Sequence, residues 1–204
     1  MSRVVTRDPD RLVLFTDAVV AIAVTLLILP LVDVVPEVVG EHGRSTEVIT
    51  GHQAQVWSFL LSFAVILRLW FVHHQVFQHI RGYTRALMMW NAGWLLAIVI
   101  LPFSTELVGA YPGDDRFTLM FYIGNILAAS TCQSMVSVIS YRDREVASES
   151  DPPDIEAVRG GLSAAALLAA ALAVAAAIPA VSYFVLLLLF LERPVTRFWP
   201  LVGL

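Results

Sequence analysis

The chain has 204 residues, 58% of them hydrophobic and only 15% charged, with a formal net charge of −4. A soluble globular domain carries about 45–50% apolar and about 25% charged residues, so a mean hydropathy of +0.75 excludes that class and points to an integral, multi-pass membrane protein. The single cysteine, Cys132, excludes a disulfide framework or a cysteine metal centre within one chain.

A hydrocarbon core of about 30 Å needs about 20 residues of helix. Six segments meet that length, at roughly 12–32, 55–77, 86–108, 117–141, 158–178 and 180–199. The fold expected is all-α, a single six-helix transmembrane domain over residues 1–204. The run after Arg3, Arg7 and Arg11 is too long for a signal peptide, so it is read as a retained helix.

The first segment carries an aspartate, Asp17, about one turn inside its start. A carboxylate there costs a few kcal/mol, which makes it a functional-site candidate by default. Arg11 and Phe15 form an i, i+4 pair ahead of it. Thr16, Asn91 of the third segment or a cation of the second are its expected partners, and the plain alternative is a polar clasp that fixes the helix. Further along, Ile22, Leu26 and Leu29 repeat at i, i+4 and i+7, with Thr25 the only polar side chain between Asp17 and Asp33. Such a stripe is ordinarily lipid-facing or packing surface. Pro30 sits at the expected outer end, and the acids Asp33, Glu37, Glu41 and Glu47 fall in the expected outer loop.

The second segment holds Arg68, Trp70, His73, His74 and His79. Arg68 lies at a depth similar to Asp17 on an antiparallel neighbour, so an Asp17–Arg68 contact that neutralises both is expected. Adjacent histidines point about 100° apart, which argues against a metal pair; one of them is expected to hydrogen-bond near the first helix. In the third segment Asn91 is expected to bond across to another helix, and Trp90 and Trp94 to anchor at the membrane interface. The stretch 142–156 is polar and acidic and reads as a mobile cytoplasmic loop. The fifth segment is almost all Ala, Leu and Val and reads as a packing helix. The sixth meets it at Pro179 in a tight hairpin, the alternative being one long kinked helix and five spans in all.

Arginine placement sets the orientation. With the N-terminus inside, ten arginines face the cytoplasm and only Arg44 and Arg116 lie outside, so both termini are expected to be cytoplasmic.

The residues Arg11-x-x-x-Phe15-Thr16-Asp17 and the apolar run that follows resemble the first-helix signature of the bacterial branch of the endosomal and lysosomal potassium channel family (transmembrane protein 175). The family pattern has Ser where Thr16 stands, an exchange that keeps the hydroxyl. Ser62-Phe63 with Trp70-x-x-His73-His74 resembles the second helix, and Asn91 with Leu101–Thr105 resembles the third. The resemblance implies a homotetramer in a bacterial inner membrane, helix one of each subunit around the axis. It implies a leak-type, potassium-selective channel with K+ as permeant ion and no cofactor. Ile22, Leu26 and Leu29 then become the hydrophobic constriction, Thr25 a selectivity residue, and Arg68, Trp70, His73, His74 and Asn91 a supporting polar network. No Thr-Val-Gly-Tyr-Gly filter occurs. The expected partners are the lipid bilayer and further copies of the chain, with no nucleic acid. The alternative function is a proton- or sodium-coupled secondary transporter using Asp17, against which the absence of an internal break in helix one counts. No enzyme motif such as Gly-x-Ser-x-Gly or His-Glu-x-x-His is present.

Overall fold

The structure is a computed structural model that describes residues 9–111, 115–143, 146–147 and 154–177. In chain order its helices are α1 (Asp10–Leu26), α2 (Leu29–Gly40), α3 (Glu47–Thr50), α4 (Gln53–Gln78), α5 (Arg85–Ala110), α6 (Arg116–Arg142) and α7 (Ile155–Ala177). Among the described residues five stretches are long and apolar enough to cross a membrane, with α1 and α2 counting as one, Asp10–Gly40. The expected segment 180–199 and the hairpin at Pro179 lie outside the described residues.

The first span corrects the sequence reading. Pro30 does not end the helix; it interrupts it. Proline has no N–H, so the Leu26 carbonyl loses its helical donor and the regular ladder breaks at Leu27–Ile28. Both residues keep right-handed helical dihedrals (φ −60°, ψ −26° and φ −80°, ψ −18°), so the chain resumes as α2. A second proline, Pro36, lies inside α2, which membrane helices tolerate when neighbours satisfy the freed groups. Asp33 and Glu37 are therefore helical, one and two turns beyond Leu29, and not loop residues. The absence of a break can no longer be used against a transporter.

The other spans match their expected positions to within a few residues. Thr84 starts α5 by accepting from the Leu87 N–H at 3.2 Å, as a helix-capping hydroxyl does. Asp115 starts α6, accepting from the Phe117 N–H at 3.2 Å and from the Thr118 hydroxyl at 2.6 Å. The Thr118 hydroxyl, with the Phe117 and Thr118 backbone N–H groups, holds the Asp115 carboxyl below the usual carboxylate range. Arg116 donates to the Ala176 carbonyl and so ties the first turn of α6 to the last turn of α7.

α5 sits centrally, packed against α1, α4 and α6, and α7 packs on α6. The main apolar core runs through Ile66 and Leu69 of α4, Trp94, Ile98 and Leu101 of α5, and Ile123, Ile126 and Ala129 of α6. α7 faces it with Leu168 and Ala175, and Gly161 lets Ser134 approach within 3.2 Å of where a Cβ would stand. Small residues allow such close helix approach in lipid. Trp94 is fully buried in this core, which corrects its reading as an interfacial anchor: its ring finds a stacking partner inside the subunit.

A smaller cluster closes the end of the bundle where α1 begins. Val146, fully buried, packs there with Ile80, Tyr83 and Leu87. The Arg81 N–H donates to the Val146 carbonyl at 2.9 Å, and Ile80 bridges to Ala147. This part of the 142–156 stretch is docked, not mobile as expected. An apolar valine amid polar residues has burial to gain by folding back.

Candidate functional site

α1 has two faces. Thr16, Val20, Ala23 and Leu27 recur at i, i+4, i+7 and i+11 and are buried against the bundle. On the other side stand Phe15, Ile22 and Leu26, continued by Leu29 at the start of α2, with Ile22 60% exposed, Leu26 42% and Leu29 49%. Thr25 lies in this exposed stripe, its hydroxyl donating to the Ile22 carbonyl at 2.8 Å. The proton is thereby committed, while the exposed oxygen keeps its capacity to accept. Arg11 is exposed near the start of the helix.

The buried face is held by two sets of polar bonds. In the first, Trp70 of α4 donates its indole N–H to Asp17 Oδ1 at 2.7 Å. A hydrogen bond to a charged group contributes about 1.5–3 kcal/mol, and this one is part-buried. The carboxylate is met by Trp70 and not by Arg68, which corrects the expected pair. Depth was right but azimuth was not: residues two apart on a helix point about 200° from each other. Trp70 therefore occupies the face toward α1, and Arg68, half-buried, is engaged elsewhere. The Trp70 ring also lies 5.6 Å from that of His74.

In the second set, Asn91 of α5 bridges two helices. Its Nδ2 donates to Thr16 Oγ1 at 3.2 Å, and its Oδ1 faces His73 Nε2 at 2.7 Å. With the amide so oriented, His73 carries its proton on Nε2 and donates. The imidazole is clamped between two rings, Phe77 at 4.3 Å and Trp94 at 4.2 Å, both near-parallel. Thr16, His73 and Asn91 are all essentially inaccessible. Each buried polar group left unpaired in such a place costs about 1–3 kcal/mol, so the three stabilise a single arrangement. The structure thus brings together Thr16, Asp17, Trp70, His73 and Asn91 behind α1. It keeps Ile22, Thr25, Leu26 and Leu29 on the other side.

Two elements of this site have no counterpart in the sequence reading. Trp70 as donor to Asp17 was hidden because an indole is at once a large apolar surface and a single N–H. A second buried cluster, Ser62 of α4 with Tyr122 of α6 (2.9 Å) and Thr105 of α5 (2.7 Å), lies nearer the far end. Ser62 and Thr105 belong to the motifs noted above, and Tyr122 does not.

The arrangement has clear relatives. The family model for the endosomal/lysosomal potassium channel TMEM175 matches residues 11–102, the stretch that holds α1 through most of α5. A potassium channel of Chamaesiphon minutus is 29% identical over 154 residues, 74% of this chain and 75% of that one. A potassium channel of Streptomyces collinus is 35% identical over 109 residues, 53% of this chain and 52% of that one. Among solved structures, the crystal structure of a lysosomal potassium-selective channel TMEM175 homologue from Chamaesiphon minutus superposes with a TM-score of 0.72. It has 25% identity and covers 92% of this chain and 97% of that one. The fold, the first-helix motif and these matches agree: the chain is a multi-pass membrane protein similar, over residues 11–102 and in overall fold, to the TMEM175 proteins, which are ion channels and not enzymes.

Proposed function

We propose that the chain is a potassium-permeable, leak-type cation channel. It acts as a homotetramer in a bacterial inner membrane with both termini cytoplasmic, α1 and α2 of each subunit surrounding a fourfold axis. One observation supports this above the others. The face of α1 turned away from its own subunit presents Ile22, Thr25 and Leu26, continued by Leu29 at the start of α2, while the other face is tied into the bundle. Four copies of that stripe form three successive aliphatic rings. A narrow apolar bore holds no stable water and so gates by dewetting. The Thr25 oxygens, their protons turned to the Ile22 carbonyl, offer lone pairs that replace part of a cation's hydration shell at the same level. Asp17 acts as a clasp on this reading, since its carboxylate already accepts from Trp70.

Purified protein in liposomes tests the proposal. A potassium gradient should drive flux with no pH gradient present. Ile22→Ala and Leu26→Ala should each raise that flux and weaken the preference for potassium over sodium. Flux that requires a proton or sodium gradient would replace the channel with a coupled transporter.

A further inference from the structure

Two levels of buried polar side chains stack along the same three helices. At the first, Ser62, Thr105 and Tyr122 satisfy one another, with Thr105 Oγ1 also 2.8 Å from the Leu101 carbonyl. Eleven residues further along α4 stands His73, eleven further along α6 stands Gln133, and eleven back along the antiparallel α5 stands Trp94. Eleven residues make three helical turns plus about 20°, and about 16 Å of rise. Three side chains that meet at one level are thus carried together to a second.

Two contacts fix that register. The His73 and Trp94 rings stack at 4.2 Å, joining α4 to α5. A Cβ placed on Gly93 would lie 3.1 Å from Cys132 Sγ, which joins α5 to α6 through the immediate neighbours of Trp94 and Gln133.

The second level differs from the first in one respect. Trp94 Nε1, Gln133 Nε2 and Gln133 Oε1 are buried with no hydrogen-bond partner among the described residues. Trp94 is 0% exposed and Gln133 3%. Nearby hydroxyls are committed: Ser134 donates to the Ser130 carbonyl at 2.8 Å and Ser137 to the Gln133 carbonyl at 3.1 Å. Inside a membrane no bulk solvent relieves such groups. An indole supplies one donor and a primary amide supplies an acceptor and two donors. A molecule that both donates and accepts pairs the indole N–H with the amide oxygen, and buried waters make about two to four bonds of this kind.

We propose that Trp94 and Gln133 hold a buried water molecule between α5 and α6, accepting from the indole N–H and donating to Gln133 Oε1. The site carries the chain Thr16–Asn91–His73 through the His73–Trp94 stack to a fourth helix, α6. It does not depend on which ion, if any, crosses the protein.

The test is magnetic resonance on the full chain in lipid nanodiscs with 15N-labelled tryptophan. Of the five indole N–H signals, that of Trp94 is assigned by its loss in Trp94→Phe. It should show a cross-peak to water that disappears in Gln133→Leu while the other four signals stay in place. Gln133→Met, unbranched and of similar length, serves if the leucine variant fails to fold. A wild-type Trp94 signal without a water cross-peak would mean a direct indole–amide pair or a dry site and would overturn the proposal. A cross-peak that survives loss of the amide would overturn it equally.

Discussion

Leu26 and Leu27 are neighbours in sequence with the same side chain, yet one is 42% exposed and the other 2%. That contrast runs the length of α1. Its inner face is built for attachment, through Thr16, Val20, Ala23 and Leu27 with Asp17 at the margin; its outer face makes no such commitments and repeats aliphatic side chains around Thr25. Damage to the inner face should therefore appear as loss of stability, and damage to the outer face as altered permeation.

The sharpest way to break that division is Asn91→Leu. It orphans both Thr16 Oγ1 and His73 Nε2 at about 1–3 kcal/mol for each buried group. A large fall in the thermal midpoint of the purified protein is expected, and an unchanged midpoint would remove the network from the account. Next comes the leucine pair. Leu27→Ala opens a cavity against the bundle; such losses run to about 2–5 kcal/mol in soluble cores. The lower end is expected here, because lipid is as apolar as leucine. Leu26→Ala should shift the midpoint by no more than about 0.5 kcal/mol equivalent, as surface changes do, while raising potassium flux. Equal destabilisation by the two would erase the distinction between the faces.

Trp70→Phe keeps an aromatic ring, smaller than the indole, and deletes the N–H that Asp17 accepts. A loss of about 1.5–3 kcal/mol is the upper expectation for a bond to a charged group, reduced because Asp17 is half-buried. In the Trp70→Phe background, Asp17→Asn should cost less than it does alone, measured by a double-mutant cycle of thermal midpoints. The smallest stability effect belongs to Thr25→Val, which trades an exposed hydroxyl for a methyl group. Its expected signature is a changed potassium-to-sodium permeability ratio at constant midpoint.

How much of this could be read without coordinates depended on which kind of signal each residue carried. Span positions followed from hydropathy, because a lipid core imposes one length on every helix. That Ile22, Leu26 and Leu29 share a face followed from spacing, since i, i+4 and i+7 lie together whatever surrounds them; their reading as a constriction rested on the resemblance. Partner choice was harder. Asp17 and Arg68 sit at like depth, but only the azimuths of α1 and α4 decide that Trp70 meets the carboxylate. Trp94 followed the same pattern: an interfacial belt and a buried stacking partner have the same composition, and only the packing against His73 tells them apart. Pro30 was located correctly, but its effect depends on whether neighbours hold the chain beyond it. Here Val34 and Val38 are buried, and the helix continues.

The interruption at Leu27–Ile28 divides the stripe between two rods. Ile22, Thr25 and Leu26 ride on α1, anchored through Asp17 and Thr16 to α4 and α5, whereas Leu29 rides on α2 with the acids Asp33 and Glu37 beyond it. A tilt of α2 at this joint costs no regular hydrogen bond that Pro30 has not already removed. It would change the spacing of the Leu29 positions while leaving Ile22 and Leu26 where the clasp holds them. Width at one end of the stripe is thus mechanically separable from width at the other.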